Sequence, residues 1–117
     1  MERASQLELI RLLDAVEAGT GVLKVDILSR SRRRPVSDAR KIFCYLSYEK
    51  MDGRKSLHDI GAFIGKDHST VIHNRDEAKN LITNDKKFAA QYQSVLQHCT
   101  GVLKNQDKIN FNTIPQF

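Results

Sequence analysis

The chain has 117 residues, of which 40% are hydrophobic, and this length suits one compact core, so we expect a single domain. No apolar run approaches the roughly 18 residues that would cross a bilayer, which predicts a soluble cytoplasmic protein without membrane contacts. The net charge of +5 is concentrated in residues 30–55, which carry nine basic and three acidic side chains. Such clustering is typical of a site for a polyanion; a solvated basic loop is the alternative explanation.

The first predicted element is a helix in the stretch "SQLELIRLLDAVEAG". Ser5 and Glu8 have the spacing of a capping box, apolar residues recur at helical intervals, and Gly19 is expected to stop the helix. The next stretch, "VLKVDIL", alternates apolar and polar residues like a strand. Because no second strand-like run exists to pair with it, we predict a short helix from about Val25 to Arg30 instead.

The stretch "RSRRRP" predicts a basic loop in which Pro35 stands where the next helix can begin. That helix, over residues 36–50, has an apolar stripe that predicts its buried face. It contains Cys44, which, like Cys99, lies in an apolar-periodic segment, in no C-x-x-C pair. We therefore expect two buried, reduced thiols and no disulfide.

Three further elements are predicted in the second half of the chain. "MDGRK" is expected to be a turn, after which Ser56 and Asp59 form a capping box that opens a short helix ending at Ile64. A second helix follows after only three or four residues. The last helix is predicted over residues 85–103 with Asn84 as its N-cap, and the polar residues 104–117 are expected to form a flexible tail.

Two helices joined across Gly65 by so short a turn have the spacing of a helix-turn-helix, whose second helix presents its N-terminal end to the major groove. A helical wheel of that second helix directs Val71, Ala78 and Ile82 to the core. The opposite side of the wheel carries only polar residues, namely Ser69, His73, Asp76 and Asn80. His73 should therefore meet solvent or a ligand.

Other chemistries fit the stretch "GKDHSTVIHN" poorly. A phosphate loop would need a different glycine spacing between a strand and a helix. His68 and His73 are five residues apart and do not share a helix face as two metal ligands would, and a convex helix end gives Asp67 no shelter for acid–base catalysis. We expect no enzyme activity, no metal and no cofactor, and Asp67 can also serve as a plain N-cap.

The motif "IGKDHSTVIH", with "KVDILSRSRRRP", "DARKIFCYL" and "SLHDIGAFIG" on its N-terminal side, resembles the C-terminal helix-turn-helix domain of the bacterial replication initiator DnaA. The resemblance covers roughly residues 7 to 98. It implies an all-α, compact domain of about five to six helices that includes residues 1–103. The sequence departs from the family at Lys66, where the family has arginine, at Ile64, where it has glycine, and at Asn74, where it has alanine.

The resemblance also implies roles for individual residues. Base edges in the major groove would be read by four residues: Lys66, Asp67, His68 and Thr70. Phosphate or groove contacts would come from seven more: Ser56, Ser69, His73, Arg30, Arg32, Arg33 and Arg34. One of the last three arginines would enter the minor groove, where a narrow groove concentrates negative potential, and the sequence leaves open which one.

The implied function is sequence-specific binding of double-stranded DNA at DnaA-box-like sites, in replication or its regulation. Such a protein would act by occupancy, competition or recruitment without ATPase activity, in the bacterial cytoplasm or nucleoid. We expect a monomer, because no predicted helix has a second large apolar face. The alternatives are a transcription regulator, or an adaptor for replication proteins. For the adaptor, Gln106, Ile109 and Phe111 in the tail resemble a sliding-clamp-binding peptide.

Overall fold

A computed structural model describes the backbone of residues 3–51 and 53–103, and the side chains of residues 6–51 and 57–99. This part of the chain forms six helices and no strand. In chain order they are α1 (Arg3–Thr20), α2 (Lys24–Ile27), α3 (Arg34–Lys50), α4 (Gly53–Ile64), α5 (His68–Asn84) and α6 (Lys86–Leu103). The predicted all-α fold is confirmed. Residues 104–117, with the expected tail motif Gln106, Ile109 and Phe111, lie outside the described residues.

One core joins all six helices. Helix α1 packs mainly on α6, and α3 packs on α5 and, to a lesser extent, on α1 and α4. The largest fully buried side chains include Phe43 of α3 and Phe88 of α6. The predicted apolar stripe of α3 is buried, and Cys44 and Cys99 are buried free thiols, as predicted.

The first helix ends later than predicted, because its two glycines have different roles. Gly19 is helical, and a Cβ at this position would lie 2.5 Å from the Cα of Val95, so Gly19 lets α1 and α6 approach closely. The residue that follows the helix is Gly21, whose φ of 79° favours glycine. At its other end α1 begins at Arg3, so the predicted N-cap Ser5 lies within the helix.

The stretch that alternates like a strand forms the single helical turn α2. Ile27 is fully buried, whereas Leu23 and Val25 are exposed, so the alternation does not mark two faces of a sheet. The prediction of a helix here is confirmed, although the helix ends at Ile27 rather than near Arg30.

Two predicted boundaries are wrong further along the chain. Helix α4 begins at Gly53, so the expected turn at "MDGRK" is partly helical and Ser56 lies inside the helix rather than at its N-cap. The N-cap of α6 is Asp85 rather than Asn84: Asp85 Oδ1 accepts a hydrogen bond from the backbone N of Phe88 at 3.1 Å. Asn84 is the last residue of α5, and its Nδ2 donates to Asn80.

Candidate nucleic-acid interface

The turn between α4 and α5 contains only Gly65, Lys66 and Asp67, which confirms the predicted spacing. Gly65 has a φ of 72°, in the left-handed region. The backbone N of Lys66 donates to the carbonyl of Gly61 at 2.8 Å and so closes the end of α4. A Cβ on Gly61 would lie 2.5 Å from the carbonyl oxygen of Lys66. The turn therefore needs two glycines, one for its backbone angle and the other for space.

Asp67 is the N-cap of α5. Its Oδ1 accepts a hydrogen bond from the backbone N of Thr70 at 2.9 Å, which satisfies one of the free donors at the start of the helix. Hydrogen bonds from the backbone and side chain of Thr70 are the main reason that the pKa of Asp67 lies below its usual range. The side chain of Asp67 remains exposed, so the cap does not remove the carboxylate from solvent.

The first turn of α5 presents polar side chains at the surface. His68 and Ser69 are exposed and Thr70 is half-buried, as is Lys66 in the preceding turn. Val71 is fully buried and fixes this end of the helix on the core. The result is a helix N-terminus, with its free backbone donors and positive dipole end, surrounded by hydrogen-bonding side chains.

The wheel prediction for the rest of α5 is also confirmed. Ala78 is fully buried and Ile82 packs against the core, while the outward face is exposed as expected. His73 lies on this exposed face, one turn beyond Ser69. It is therefore available to a ligand that contacts the start of the helix.

Two contacts that the sequence did not suggest connect α5 to α3. The guanidinium of Arg75 lies 4.3 Å from the ring centroid of Tyr48 and pairs with Asp76 at 2.6 Å. Asn74 directs its Nδ2 towards the sulfur of Cys44 at 3.7 Å, and burial raises the pKa of that thiol to about 12. These contacts fix α5 against α3 by a face that does not carry His68 or His73.

The second polar region is the segment of residues 28–33, which we call the arginine loop. It follows α2 and precedes α3, which begins at Arg34, one residue earlier than Pro35. Arg30, Arg32 and Arg33 are exposed, and none makes an ion pair with another residue whose side chain the structure describes. The intervening serines turn towards the loop itself: Ser29 Oγ donates to the carbonyl of Asp26 at 2.5 Å, and it accepts from the backbone N of Ser31.

A buried arginine lies beneath this loop. Arg40 of α3 is only 7% exposed, and its guanidinium donates to four backbone carbonyls. The acceptors are Ile27 at 2.8 Å, Ser29 at 2.9 Å, Ser31 at 3.0 Å and Asp26 at 3.4 Å. Burial lowers the pKa of Arg40 from its usual range. The sequence placed Arg40 among the cationic residues of the basic segment and gave no sign that it is buried.

Arg34, predicted as part of the basic loop, is engaged within the protein. Its Nε lies 3.0 and 3.1 Å from the two carboxylate oxygens of Asp38, and a second nitrogen lies 3.3 Å from Asp85. Asp38 is itself largely buried. Arg34 therefore connects the start of α3 to the junction of α5 and α6, whereas the arginines of the loop make no ion pair with a side chain that the structure describes.

The arginine loop and the helix-turn-helix lie at opposite ends of α3. This helix runs antiparallel to α5: Arg34 at its start contacts Asp85 beyond the end of α5, whereas Tyr48 near its end contacts Arg75. The 17 residues of α3 correspond to about 25 Å at 1.5 Å per residue. The two polar regions are therefore about one helix length apart.

Ser56, the remaining predicted contact residue, lies in α4, and its side chain is outside the described residues. Among the residues whose side chains the structure describes, no group of three histidine, cysteine, aspartate or glutamate residues is placed to hold a metal ion. No described helix is long and apolar enough to cross a membrane.

The geometry of two helices around a three-residue turn agrees with what the sequence matches among protein families. Residues 10–77, more than half of the chain, match the family described as the bacterial DnaA protein helix-turn-helix. The chain belongs to this family. The part that matches the DnaA helix-turn-helix family includes the arginine loop, Arg40, the turn and the first half of α5.

Individual relatives agree with this assignment. The chain is 39% identical over 79 residues to the chromosomal replication initiator protein DnaA of a Picosynechococcus species, a match that covers 67% of this chain and 17% of the relative. The chain is 31% identical over 104 residues to the DnaA of Bdellovibrio bacteriovorus, and this match covers 88% of the chain and 22% of the relative. With the DnaA of Lacticaseibacillus casei, the chain shares 34% identity over 106 residues, and this match covers 90% of the chain and 22% of the relative. The chain therefore spans about a fifth of the length of these curated relatives.

Proposed function

We propose that this protein binds double-stranded DNA sequence-specifically at a site like those bound by DnaA. The observation that carries the proposal is the pair of exposed polar regions at the two ends of α3: a helix N-terminus in a helix-turn-helix and a loop with three exposed arginines. A separation of about 25 Å, roughly seven base pairs at 3.4 Å each, lets one region enter the major groove while the other reaches an adjacent minor groove.

In the major groove, base edges are read by residues around the N-terminus of α5. Asp67 accepts a hydrogen bond from a cytosine amino group, and Thr70 contacts a thymine methyl group. His68 projects into the groove beside them. Lys66 approaches guanine as a point charge rather than as a planar fork, so its preference for guanine is weaker than that of the arginine usual in the family.

The remaining contacts hold the protein in place on the duplex. Ser69 and His73 donate to phosphates, as Ser56 does from α4, and the helix N-terminus adds its own donors. In the arginine loop, Arg30 contacts a phosphate and either Arg32 or Arg33 enters the minor groove. Arg34 takes a lesser part, because both of its carboxylate partners already hold its guanidinium.

The protein acts as a monomer on an asymmetric site through a DNA-binding domain of residues 1–103. It occupies DnaA-type sites and thereby competes with or recruits the replication machinery, in the cytoplasm or nucleoid. A DnaA-type helix-turn-helix is a non-catalytic domain, and we propose no ATPase activity for this protein. Control of transcription by occupancy of such sites is a variant of the same activity.

A second candidate function is that of an adaptor, which the order of Gln106, Ile109 and Phe111 in the sequence favours. These residues would contact a sliding clamp while the helical domain holds DNA. Clamp binding that is unchanged by deletion of residues 104–117, or absent altogether, would remove the support for an adaptor without affecting the proposal of DNA binding.

Selection of bound duplexes from a random-sequence pool tests the main proposal. We expect enrichment of one short asymmetric sequence, and light scattering of the complex should give one protein per duplex. Failure to enrich any sequence would contradict specific binding. A palindromic site occupied by a stable dimer would contradict the proposed mode of recognition.

A further inference from the structure

The contacts of Arg40 are unusual for a buried cation. Its three guanidinium nitrogens all donate to backbone carbonyls, and no carboxylate of a residue whose side chain is described lies within ion-pair distance. A buried charge without such partners would be costly. Here the negative ends of four peptide dipoles replace a counter-ion, two of them from the last turn of α2, where a cation is favoured.

These four carbonyls determine the path of the arginine loop. They belong to residues 26, 27, 29 and 31, so the contacts begin at the end of α2 and continue through the first half of the loop. The carbonyls of Ser29 and Ser31 point inward to Arg40, while the alternate residues Arg30 and Arg32 are exposed. The backbone of the loop is thus hydrogen-bonded to Arg40 on its inner side, while the arginine side chains of the loop are exposed on its outer side.

We infer that Arg40 is a positioning residue for DNA recognition: it does not touch DNA, but it holds the arginine loop in the conformation that aligns Arg30, Arg32 and Arg33 with the duplex. The inference rests on the proposed role of the loop in DNA binding. Only 7% of the surface of Arg40 is exposed, and four of its five N–H donors already bond to backbone carbonyls. Its effect on binding must therefore pass through the loop.

Lysine is the informative replacement at this position. It keeps the positive charge, but its single ammonium group cannot span four carbonyls that the planar fork of arginine contacts through three nitrogens. If Arg40 acted only as a positive charge near DNA, Arg40→Lys would preserve binding. A positioning role predicts that the charge alone is insufficient.

The test is a double-mutant cycle measured by fluorescence anisotropy on the duplex selected from random DNA and on an unselected duplex of equal length. We expect Arg40→Lys to weaken binding to the selected duplex about 10-fold and to the unselected duplex much less. In a chain that already carries Arg30→Ala, Arg32→Ala and Arg33→Ala, the same change should have less than a twofold effect. Fully additive losses would overturn the inference, because they would show that Arg40 acts independently of the loop.

Hydrogen exchange without DNA gives a readout that does not depend on the proposed function. In Arg40→Lys, the amides of Ser29, Ser31 and Arg33 should exchange faster while those of α5 keep their protection. Lys41→Met, which removes a charge from the neighbouring position, should change neither exchange nor DNA preference. Unchanged exchange in the loop of Arg40→Lys would overturn the inference. If the wild-type protein had no DNA preference, the proposed function would fail while exchange still decided whether Arg40 holds the loop.

Binding is compared well below the midpoint of thermal unfolding of each variant. If Arg40→Lys left no folded protein, Ser29→Ala would decide the question. This change removes the Oγ contacts to Asp26 and Ser31 but leaves Arg40 in place. We expect a loss of about threefold on the selected duplex and no loss on the unselected one. No change on either duplex would show that loop conformation does not control recognition.

Discussion

The two ends of α3 hold their polar regions in different ways. At the helix-turn-helix end, local backbone requirements fix the geometry: a glycine with positive φ, a second glycine with no space for a Cβ, and an aspartate that caps the next helix. At the arginine-loop end, the serines add short-range contacts, but the side chain with the most hydrogen bonds to the backbone is the distant Arg40, which makes four. Local rules can be recognised in a sequence, whereas a long-range contact of this kind cannot.

The difference extends to the expected roles of the two ends in DNA binding. The loop offers cationic side chains and should supply affinity that depends on salt, since phosphate contacts release counterions. The start of α5 offers hydrogen-bonding groups to base edges and should supply discrimination between sequences. Removal of the cationic side chains of the loop and removal of the hydrogen-bonding side chains of α5 should therefore produce different patterns of loss.

The largest effect is expected from the combined replacement of Arg30, Arg32 and Arg33 by alanine. Binding to selected and unselected duplexes should weaken by about 10- to 100-fold, and the salt dependence of log K should fall by about one unit per lost phosphate contact. The fold should be preserved, because all three side chains are exposed. Anisotropy at several salt concentrations measures both effects, and Arg11→Ala, an exposed arginine of α1, is the control. An unchanged salt slope would show that the loop does not contact phosphates.

At the other end, Gly61→Ala should destabilise the protein by about 1–3 kcal/mol, because the new Cβ has to displace backbone. A smaller cost of about 1 kcal/mol is expected for Gly65→Ala, which strains the backbone angle but meets no neighbouring atom. Urea unfolding measures both free energies. If Gly61→Ala were as stable as the wild type, the close approach of Lys66 to α4 would not be a requirement of the turn.

A smaller effect on the free energy of unfolding is expected from the ionisation of Asp67. Because its pKa is lowered in the folded protein, its contribution to stability is complete above the usual aspartate pKa of about 4 and is lost as pH falls through the folded pKa. Asparagine also caps helices, so Asp67→Asn should unfold much like the wild type at low pH and lack this part of the pH dependence. Urea unfolding between pH 7 and pH 2.5 makes the comparison. If the free energies of unfolding of the wild type and of Asp67→Asn fell in parallel from pH 7 to pH 2.5, the lowered pKa of Asp67 in the folded protein would be contradicted.

Much of the helix-turn-helix could be predicted from the sequence. The three-residue turn, the buried face through Val71 and Ala78, and the exposed position of His73 all follow from helical periodicity. Helix ends were less predictable where two residues that can cap or end a helix lie next to each other or nearly so. Asn84 and Asp85 can both cap a helix, and only the backbone path decides between them.

The arginine loop was predicted less completely. Its charge and position were evident, but side chains of the same type have different environments: Arg32 is exposed, Arg34 is paired with Asp38 and Asp85, and Arg40 is buried. Periodicity indicates which face of a helix is buried, but it does not show that a cation on that face will find carbonyl partners from another part of the chain. Burial of arginine depends on such long-range partners.

The central claim, that the start of α5 reads DNA sequence, is tested most directly by His68→Ala. His68 is exposed and lies just after the N-cap, so its removal should leave the fold intact. We predict a loss of about 1–3 kcal/mol on the selected duplex and much less on an unselected duplex of the same length, both measured by anisotropy at the same two salt concentrations. Equal losses on the two duplexes would contradict the claim.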